Sequence, residues 1–569
     1  MSIAHNGVTK WTFTYDANGN VTSVTDENNQ TVAYSYDKNN RLTQVNKGTS
    51  SSLTLGYDDN SNITSREITA GSTTTTFGYN YNPLNQLVAL SRNSANLAKF
   101  TYDERGNISA ILKANGMYTA YEYNDANQLK SIKNFDKTGN VLNYFLYSYD
   151  ANGNITSVET ESGTITYQYD ALNQLVEETL LDGTIITYEY DSVGNRTKKT
   201  VTDGTDSTTT TYTYDAANQL TAVDGQAYTY DVNGNLTDNG EYTFIYNDDN
   251  RLVEVKDATS TTIATYTYDH QGRRISKTTS SGTTYYHYDG DSIRLLYETD
   301  ESHNIIAEYT WNENGQPLTM TKNGVTYHYH VNLRGDVTAL TDDDGNIVAE
   351  YEYDAWGNIL SQAGSMVLEN PLRYSGYYYD DEIKLYYLTS RYYEPSIGRF
   401  LTRDTFHGFE DDAIGLNQYV YTKNNPVIFI DPDGHWIWIV VQAGLAVLRF
   451  ATPLLTRAGP WMARTKIVKY AEQVLKPFKS GYWKKKGIDI DISMSKNHVV
   501  KIVKKGYGRI FSLDYHRLPE IKSKKGKSLQ RKVWHYHIYP KSDIHHVFKL
   551  SVPQGYNIPN SWKYRWAPF

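Results

Sequence analysis

His535 and His537 stand two apart in the stretch KVWHYHIYP, and Asp514 and His516 stand two apart in GRIFSLDYHRL. Residues two apart in an extended strand share a face. His535 and His537 therefore lie opposite Trp534, Tyr536 and Ile538, and Asp514 and His516 opposite Phe511, Leu513 and Tyr515. If the two strands are neighbours, three histidines and an aspartate converge among Arg509, Arg517, Arg531 and Lys532. Imidazoles titrate near neutral pH and can take and return protons, while guanidinium and ammonium groups steady the charge of a phosphorane-like transition state. RNA carries its own 2′-hydroxyl nucleophile, so such a set needs no metal or cofactor. Metal-independent ribonuclease chemistry is the first expectation, with RNA as substrate. One histidine on a strand is more often a hydrogen-bonded surface residue, so the expectation rests on the cluster.

Two other chemistries compete with it. Asp489 and Asp491 share one face of GIDIDISM and, with His545, His546 or the other histidines, could hold Mg or Zn for a metal-dependent DNase or RNase. An HNH-type reading of His545-His546 fails on spacing, because no histidine follows Asn557 or Asn560. The third reading is non-enzymatic, a cationic segment that acts on membranes or binds nucleic acid. Charge supports a polyanionic partner in every case. Residues 435–569 hold 26 Lys and Arg against 6 Asp and Glu, a net of +20, while residues 1–434 hold 29 against 58, a net of −29. The overall charge of −9 hides these opposed blocks. A strongly cationic block seeks nucleic acid, anionic lipid or the acidic block of its own chain.

The elements that must carry these residues read as a small α+β domain over 459–569. WMARTKIVKYAEQVLKPF has apolar residues at helical spacing and ends at Pro477, and about five alternating stretches follow as strands. Lysine clusters at 484–486, 504–505 and 522–527 fall in the connections. Before this domain lies an apolar linker over 436–458, whose run Trp436–Leu448 is short of the ~20 residues that span a bilayer. The run predicts a buried or interfacial helix that could assist entry through a target membrane. Cysteine is absent, which excludes disulfides, thiolate metal sites and a cysteine nucleophile. The first residues, MSIAHNGVTKWTFTYD, lack a basic start followed by an apolar core and so carry no cleavable signal.

Upstream, Tyr-Asp pairs recur at residues 15, 36, 57, 102, 149, 169 and 190 and onward to 379, with a common step of 20 to 22. A fixed period of this size marks stacked supersecondary units. Alternation such as Tyr34, Tyr36, then Leu42 and Val45 around Asn39-Asn40 reads as two strands and a tight turn. Asp-x-x-Gly-Asn and Asn-Gln-Leu supply the turn residues. Each unit is a β-hairpin that cannot bury its own apolar face, and its tyrosines serve cross-strand packing.

This pattern resembles the YD-repeat of Rhs proteins, WapA-type wall-associated proteins and the C component of insecticidal toxin complexes, over roughly residues 10 to 434. LRYSGYYYDDEIKLYYLTSRYYEPSIGRFLTRDTF, with GLNQYVYTKNNPVIFIDPDGH after it, is similar to the Rhs core signature. The resemblance implies a mainly β fold: a coiled hairpin ribbon over 1–370, a core with a cleavage junction over 371–435, and a variable C-terminal toxin. Residues 1–434 are fewer than a closed family shell uses, so the expectation is a partial Rhs-type shell that needs additional shell material.

It also implies an aspartyl autoprotease. The matching positions are Asp404 in GRFLTRD and Asp431 in IDPDGH, with Arg399 or Arg403 holding one carboxylate ionised and the cut between His435 and Trp436. Two adjacent carboxylates share a proton, so one can activate water while the other acts as acid. His435 stands where the family has leucine, which weighs against efficient cutting. Asp-Pro-x-Gly is also an ordinary turn, and Asp404 could brace the core without chemistry. A member of such a family is expected to be secreted or attached to the cell surface, to act in the cytoplasm of a competing bacterium, and to be paired in its producer with an acidic immunity protein.

Overall fold

Each Tyr-Asp pair ends a strand and begins a turn, and the computed structural model shows what each half does. Asp150 accepts the N–H groups of Asn152 (2.7 Å) and Asn154 (2.9 Å) on one carboxylate oxygen and the Asn154 side chain (2.8 Å) on the other. Gly153 completes the turn at φ +91°, a backbone region that favours glycine. The tyrosine works in the other direction. Tyr149, Tyr169 and Tyr190 donate their hydroxyls to the carbonyls of Leu129, Ile155 and Leu175, at 2.6, 2.7 and 2.7 Å. Each acceptor is the first residue of a strand just after an earlier turn, so one side chain satisfies a half-buried carbonyl and ties one hairpin to the next.

The structure describes residues 2–5, 8–48, 51–405, 414–435 and 438–439, and beyond them strands at 488–492, 498–504, 508–517, 522–523, 532–538, 545–547, 556–557 and 564–566. Two compact units result. One comprises Met1–Tyr102, Ile108–Asn124 and Leu129–Val440; the other comprises Asp103–Asn107, Asp125–Gln128 and Val441–Phe569.

In the first unit, strands from Ser2–His5 to Gln226–Ala227 form a 22-stranded sheet, and those from Thr229–Tyr230 to Ile359–Ala363 form a 14-stranded sheet. Neighbours in sequence pair antiparallel, as in Val141–Tyr149 with Ile155–Thr160 and then Gly163–Tyr169. The register slips by one residue at the repeat tyrosines, for example between Ser148 and Tyr149. A mainly β fold was the expectation, and described residues between 10 and 350 are strands and turns. Residues 378–400 fold into a short four-stranded sheet. Its Tyr386, Tyr393 and Phe400 join Trp356, Tyr374, Tyr377 and Tyr421 in a buried aromatic cluster that packs on Ile132, Ile155, Leu175 and Ile186 of the ribbon.

In the second unit, the described strands make a six-stranded sheet and a two-stranded one. The expected helix over 461–478 lies outside the described residues. The apolar run departs from its expectation at one point: Trp438–Ile439 is a strand, paired antiparallel with Phe429–Ile430. Its backbone groups are taken by a neighbouring strand rather than by a helical turn. The remainder of 436–448 lies outside the described residues. Among the described residues, no helix is long and apolar enough to cross a membrane.

The tyrosine ties carry a direct expectation. Tyr190→Phe removes one donor and leaves the Leu175 carbonyl short of its partner, a loss of about 1 kcal/mol. Chemical denaturation should show a lower midpoint at unchanged slope.

Candidate functional site

The junction is built around one guanidinium. Arg391, 4% exposed, has Nη2 2.9 Å from Asp404 Oδ2 and 3.5 Å from Asp431 Oδ2, so the two carboxylates share a single cation. The rest of the guanidinium is fixed: Nε donates to the Gly434 carbonyl, Nη1 donates to the Gln418 carbonyl at 2.9 Å, and its face rests on the Phe400 ring at 3.5 Å. Residues 431–435 wrap this group. Asp431 donates its N–H to the Tyr377 hydroxyl at 2.8 Å, and His435 donates its N–H to Asp433 Oδ1 at 3.1 Å. Gly434 sits at φ +77°, where an added Cβ would meet the Leu388 carbonyl oxygen at 2.8 Å, so only glycine fits there.

Burial dominates the electrostatics of Asp431. Asp431 is 1% exposed, and burial pushes its carboxyl well above the usual range; Arg391 pulls it back in part, and Asp433 and Asp404 push it up again. Asp431 is therefore the partner that holds a proton. Asp404 lies between Arg391 and the His435 imidazole, whose Nδ1 is 3.0 Å from Asp404 Oδ1. Two carboxyl groups held on one cation can between them activate water and protonate a leaving amine. Trp436, on the far side of the expected cut, lies outside the described residues, and the chain is next described at Trp438–Ile439.

In the second unit, Gly508–Arg517 pairs antiparallel with Lys532–Ile538, and the register sets Asp514 opposite His535, Ser512 opposite His537, and His516 opposite Val533. Arg517 and Lys532 face each other in register in the other alternation set, and Arg531 lies outside the described residues. Asp491 pairs with Lys501, Lys501 with Ser512, and Ser512 with His537, while Asp489 pairs with Val503 and Val503 with Arg509. His545–Val547 pairs with the same histidine strand, with His546 opposite Tyr536.

The Teneurin YD-shell family model matches residues 44–176 and 148–427, and the RHS Repeat model matches residues 6–51. The chain belongs to the YD-shell family. Relatives similar to this YD-shell chain include the tRNA(Glu)-specific nuclease WapA of Bacillus subtilis subsp. natto, 43% identical over 339 residues, or 59% of this chain and 14% of that protein. The tRNA3(Ser)-specific nuclease WapA of Bacillus spizizenii is 39% identical over 382 residues, or 65% of this chain and 16% of that protein. This chain thus spans about a seventh of the length of these curated relatives. A solved TcdB2-TccC3 structure superposes with a TM-score of 0.54 at 18% identity, over 74% of this chain and 27% of that one, a likeness of fold.

Within this YD-shell chain the structure assigns the junction cation differently from the sequence reading. Arg399 donates to Asn195 Oδ1 (2.9 Å) and the Asn218 carbonyl (2.5 Å), and Arg403 donates to Gln418 Oε1, so both are occupied in holding the core to the ribbon and to itself. Arg391 takes the role instead. Nothing in SRYYEPSIGRF separates it from those two, because its position follows from the strand pairing of Tyr392–Glu394 with Arg399–Phe400. Tyr377 was likewise unmarked in the sequence.

Proposed function

We propose that this chain is a WapA-like polymorphic toxin for competition between bacteria: a β-ribbon carrier that cuts itself after His435 and releases a cationic C-terminal ribonuclease. The register of Asp514 against His535, within one sheet that also carries His516 and His537, is the observation that supports the nuclease reading. The net charge of +20 over 435–569 suits a nucleic-acid substrate. Similarity to proteins named as tRNA nucleases points the same way, and their names give different tRNAs, so the target here is left to the cargo. At least one imidazole of His516, His535 and His537 acts as base on the 2′-hydroxyl or as acid on the leaving 5′-oxygen, with Arg509 and Arg531 binding phosphate, while the register sets Arg517 and Lys532 in the other alternation set, away from the histidines. At the junction, Asp431 is the acid, Asp404 the base, and Arg391 the cation that fixes both.

Secretion or attachment to the cell surface, action in the target-cell cytoplasm and an acidic immunity protein follow from that reading. Additional shell material would complete the carrier, and the apolar segment after the cut would meet the target membrane during entry. A metal-dependent nuclease is the second reading, favoured by the register that places Asp491 in the row of His537. Incubating the protein with total RNA and plasmid DNA, with and without EDTA, decides between them. RNA cut in EDTA, with 2′,3′-cyclic phosphate ends, is the expected result. Loss of cutting in EDTA with rescue by Mg or Zn transfers the site to Asp489, Asp491, His545 and His546. No cutting of either nucleic acid rejects both and leaves a non-enzymatic cationic cargo.

A further inference from the structure

The register of the six-stranded sheet sorts its residues into two alternation sets. One set contains the row Ile490, Ile502, Phe511, Ile538 and the pair Leu513 and Tyr536. These positions are apolar, as expected of a face that packs on a core, and Arg517 and Lys532 stand at the end of the set. The other contains the row Asp491, Lys501, Ser512, His537 and, beside it, the row His498, Asp514, His535. Four strands, Ile488–Ile492, His498–Lys504, Gly508–Arg517 and Lys532–Ile538, thus bring their ionisable residues to one set. His498–Lys504 pairs with Gly508–Arg517 so that His498 stands opposite Asp514, while His535 stands opposite the same aspartate from the far side. His535 and Asp514 are a regular pair, with Cβ atoms about 4.5–5.5 Å apart in such pairs, and His498 joins them through a register shift between His498 and Val500, so the three positions form one row.

We infer that His498, Asp514 and His535 form one acid–base row, in which His498 and His535 are the two imidazoles and Asp514 is a positioning residue between them. The inference rests on the ribonuclease reading and names the pair that performs it. Catalysis of this kind needs one neutral and one protonated imidazole at the same pH, and a single carboxylate between two imidazoles stabilises one cation and not two. Among the described residues, Asp491, Lys501 and His537 in the next row, His516 at the following position of the middle strand, and His545 on the strand that pairs with His535 are the other ionisable groups near it. In the step, one imidazole takes the 2′-hydroxyl proton as the O2′–P bond forms. The P–O5′ bond breaks, and the other imidazolium gives its proton to O5′. A 2′,3′-cyclic phosphate and a free 5′-hydroxyl result, with no metal and no redox partner.

The test uses the full chain acting on a short fluorescent oligoribonucleotide across a pH series. His498→Ala should slow cleavage about a hundredfold, the size expected for a lost general acid or base, and remove one limb of the bell-shaped pH profile. Free imidazole should restore activity to His498→Ala, which a structural role would not permit. His498→Gln, a neutral replacement of similar reach, should stay as slow as alanine. His498→Ala that cleaves at the wild-type rate with both limbs intact overturns the inference. So does a slow His498→Ala that imidazole leaves unchanged while His498→Gln is fully active, since a packing role is then enough. Wild-type protein that cuts no RNA defeats the ribonuclease reading itself, a result distinct from either.

Discussion

Asp431→Asn should leave the 64.9 kDa chain whole, whereas the unaltered protein should yield a fragment of about 15 kDa, the share of 134 of its 569 residues, starting at Trp436. The substitution keeps the shape of the buried side chain and its backbone hydrogen bond to Tyr377 but removes the proton that burial holds on the carboxyl. Without that proton nothing at this position serves the leaving amine. Asp404→Ala should stop the cut equally, by removing the carboxylate that activates water. Loss of a general acid or base costs about a hundredfold or more in rate, enough to separate the species on a gel within one preparation. His435→Leu should speed the cut, since it frees Asp404 of the imidazole 3.0 Å away. A fragment that appears at the normal rate from Asp431→Asn, or one whose N-terminal sequence begins elsewhere than Trp436, would reject this assignment.

A loss of similar size is expected in the cargo. His535→Ala should lower RNA cleavage by about a hundredfold or more, and His537→Ala, in the adjoining row, should do so as well if it contacts the scissile phosphate. The ladder that carries them also holds Trp534, Tyr536 and Ile538 in the opposite set, so alanine at 535 or 537 leaves the apolar set intact. Circular dichroism should therefore be unchanged. Product ends carrying 2′,3′-cyclic phosphate would mark attack by the 2′-hydroxyl. Full activity in His535→Ala would remove it from the site.

The ribbon was legible because its signal is repeated. A Tyr-Asp pair followed by Gly-Asn states a strand end, a turn and the next strand start, and neighbouring units repeat it. The partner of each tyrosine hydroxyl was not legible, since a carbonyl about fifteen residues away, such as that of Leu175 for Tyr190, carries no side-chain signature. At the junction the two aspartates came from resemblance to a motif, and the structure sets them on one cation. The cation was misjudged because Arg391, Arg399 and Arg403 differ in nothing but strand register. Trp438–Ile439 was read as helix because an apolar run shows no period, and its strand partner Phe429–Ile430 lies outside the run. In the cargo, alternation assigned His535 and His537 to a common set, but sequence alone could not supply His498, which enters only through the pairing of its strand with the one that bears Asp514.

The ribbon and the core differ in their tolerance of evolutionary insertion and loss. A hairpin brings its own turn and its own tie to the hairpin before it, so a 20-to-22-residue step keeps its local contacts when gained or deleted, except where remote hairpins are paired, as Arg66 is with Asp289 and Arg92 with Glu308. Four consecutive Tyr-Asp turns are held by the core as well. The segment that leads into the junction reaches them in order: Asn425 donates to Asn154 Oδ1 and the Asn173 carbonyl, Asn424 to Gln174 Oε1 and the Gly194 carbonyl, Asn417 to Asn195 Oδ1, and Arg399 to the Asn218 carbonyl. A hairpin added between residues 150 and 219 would place the wrong turn beneath each of these side chains. That stretch works as a gauge of fixed length against which the segment leading into the junction is aligned.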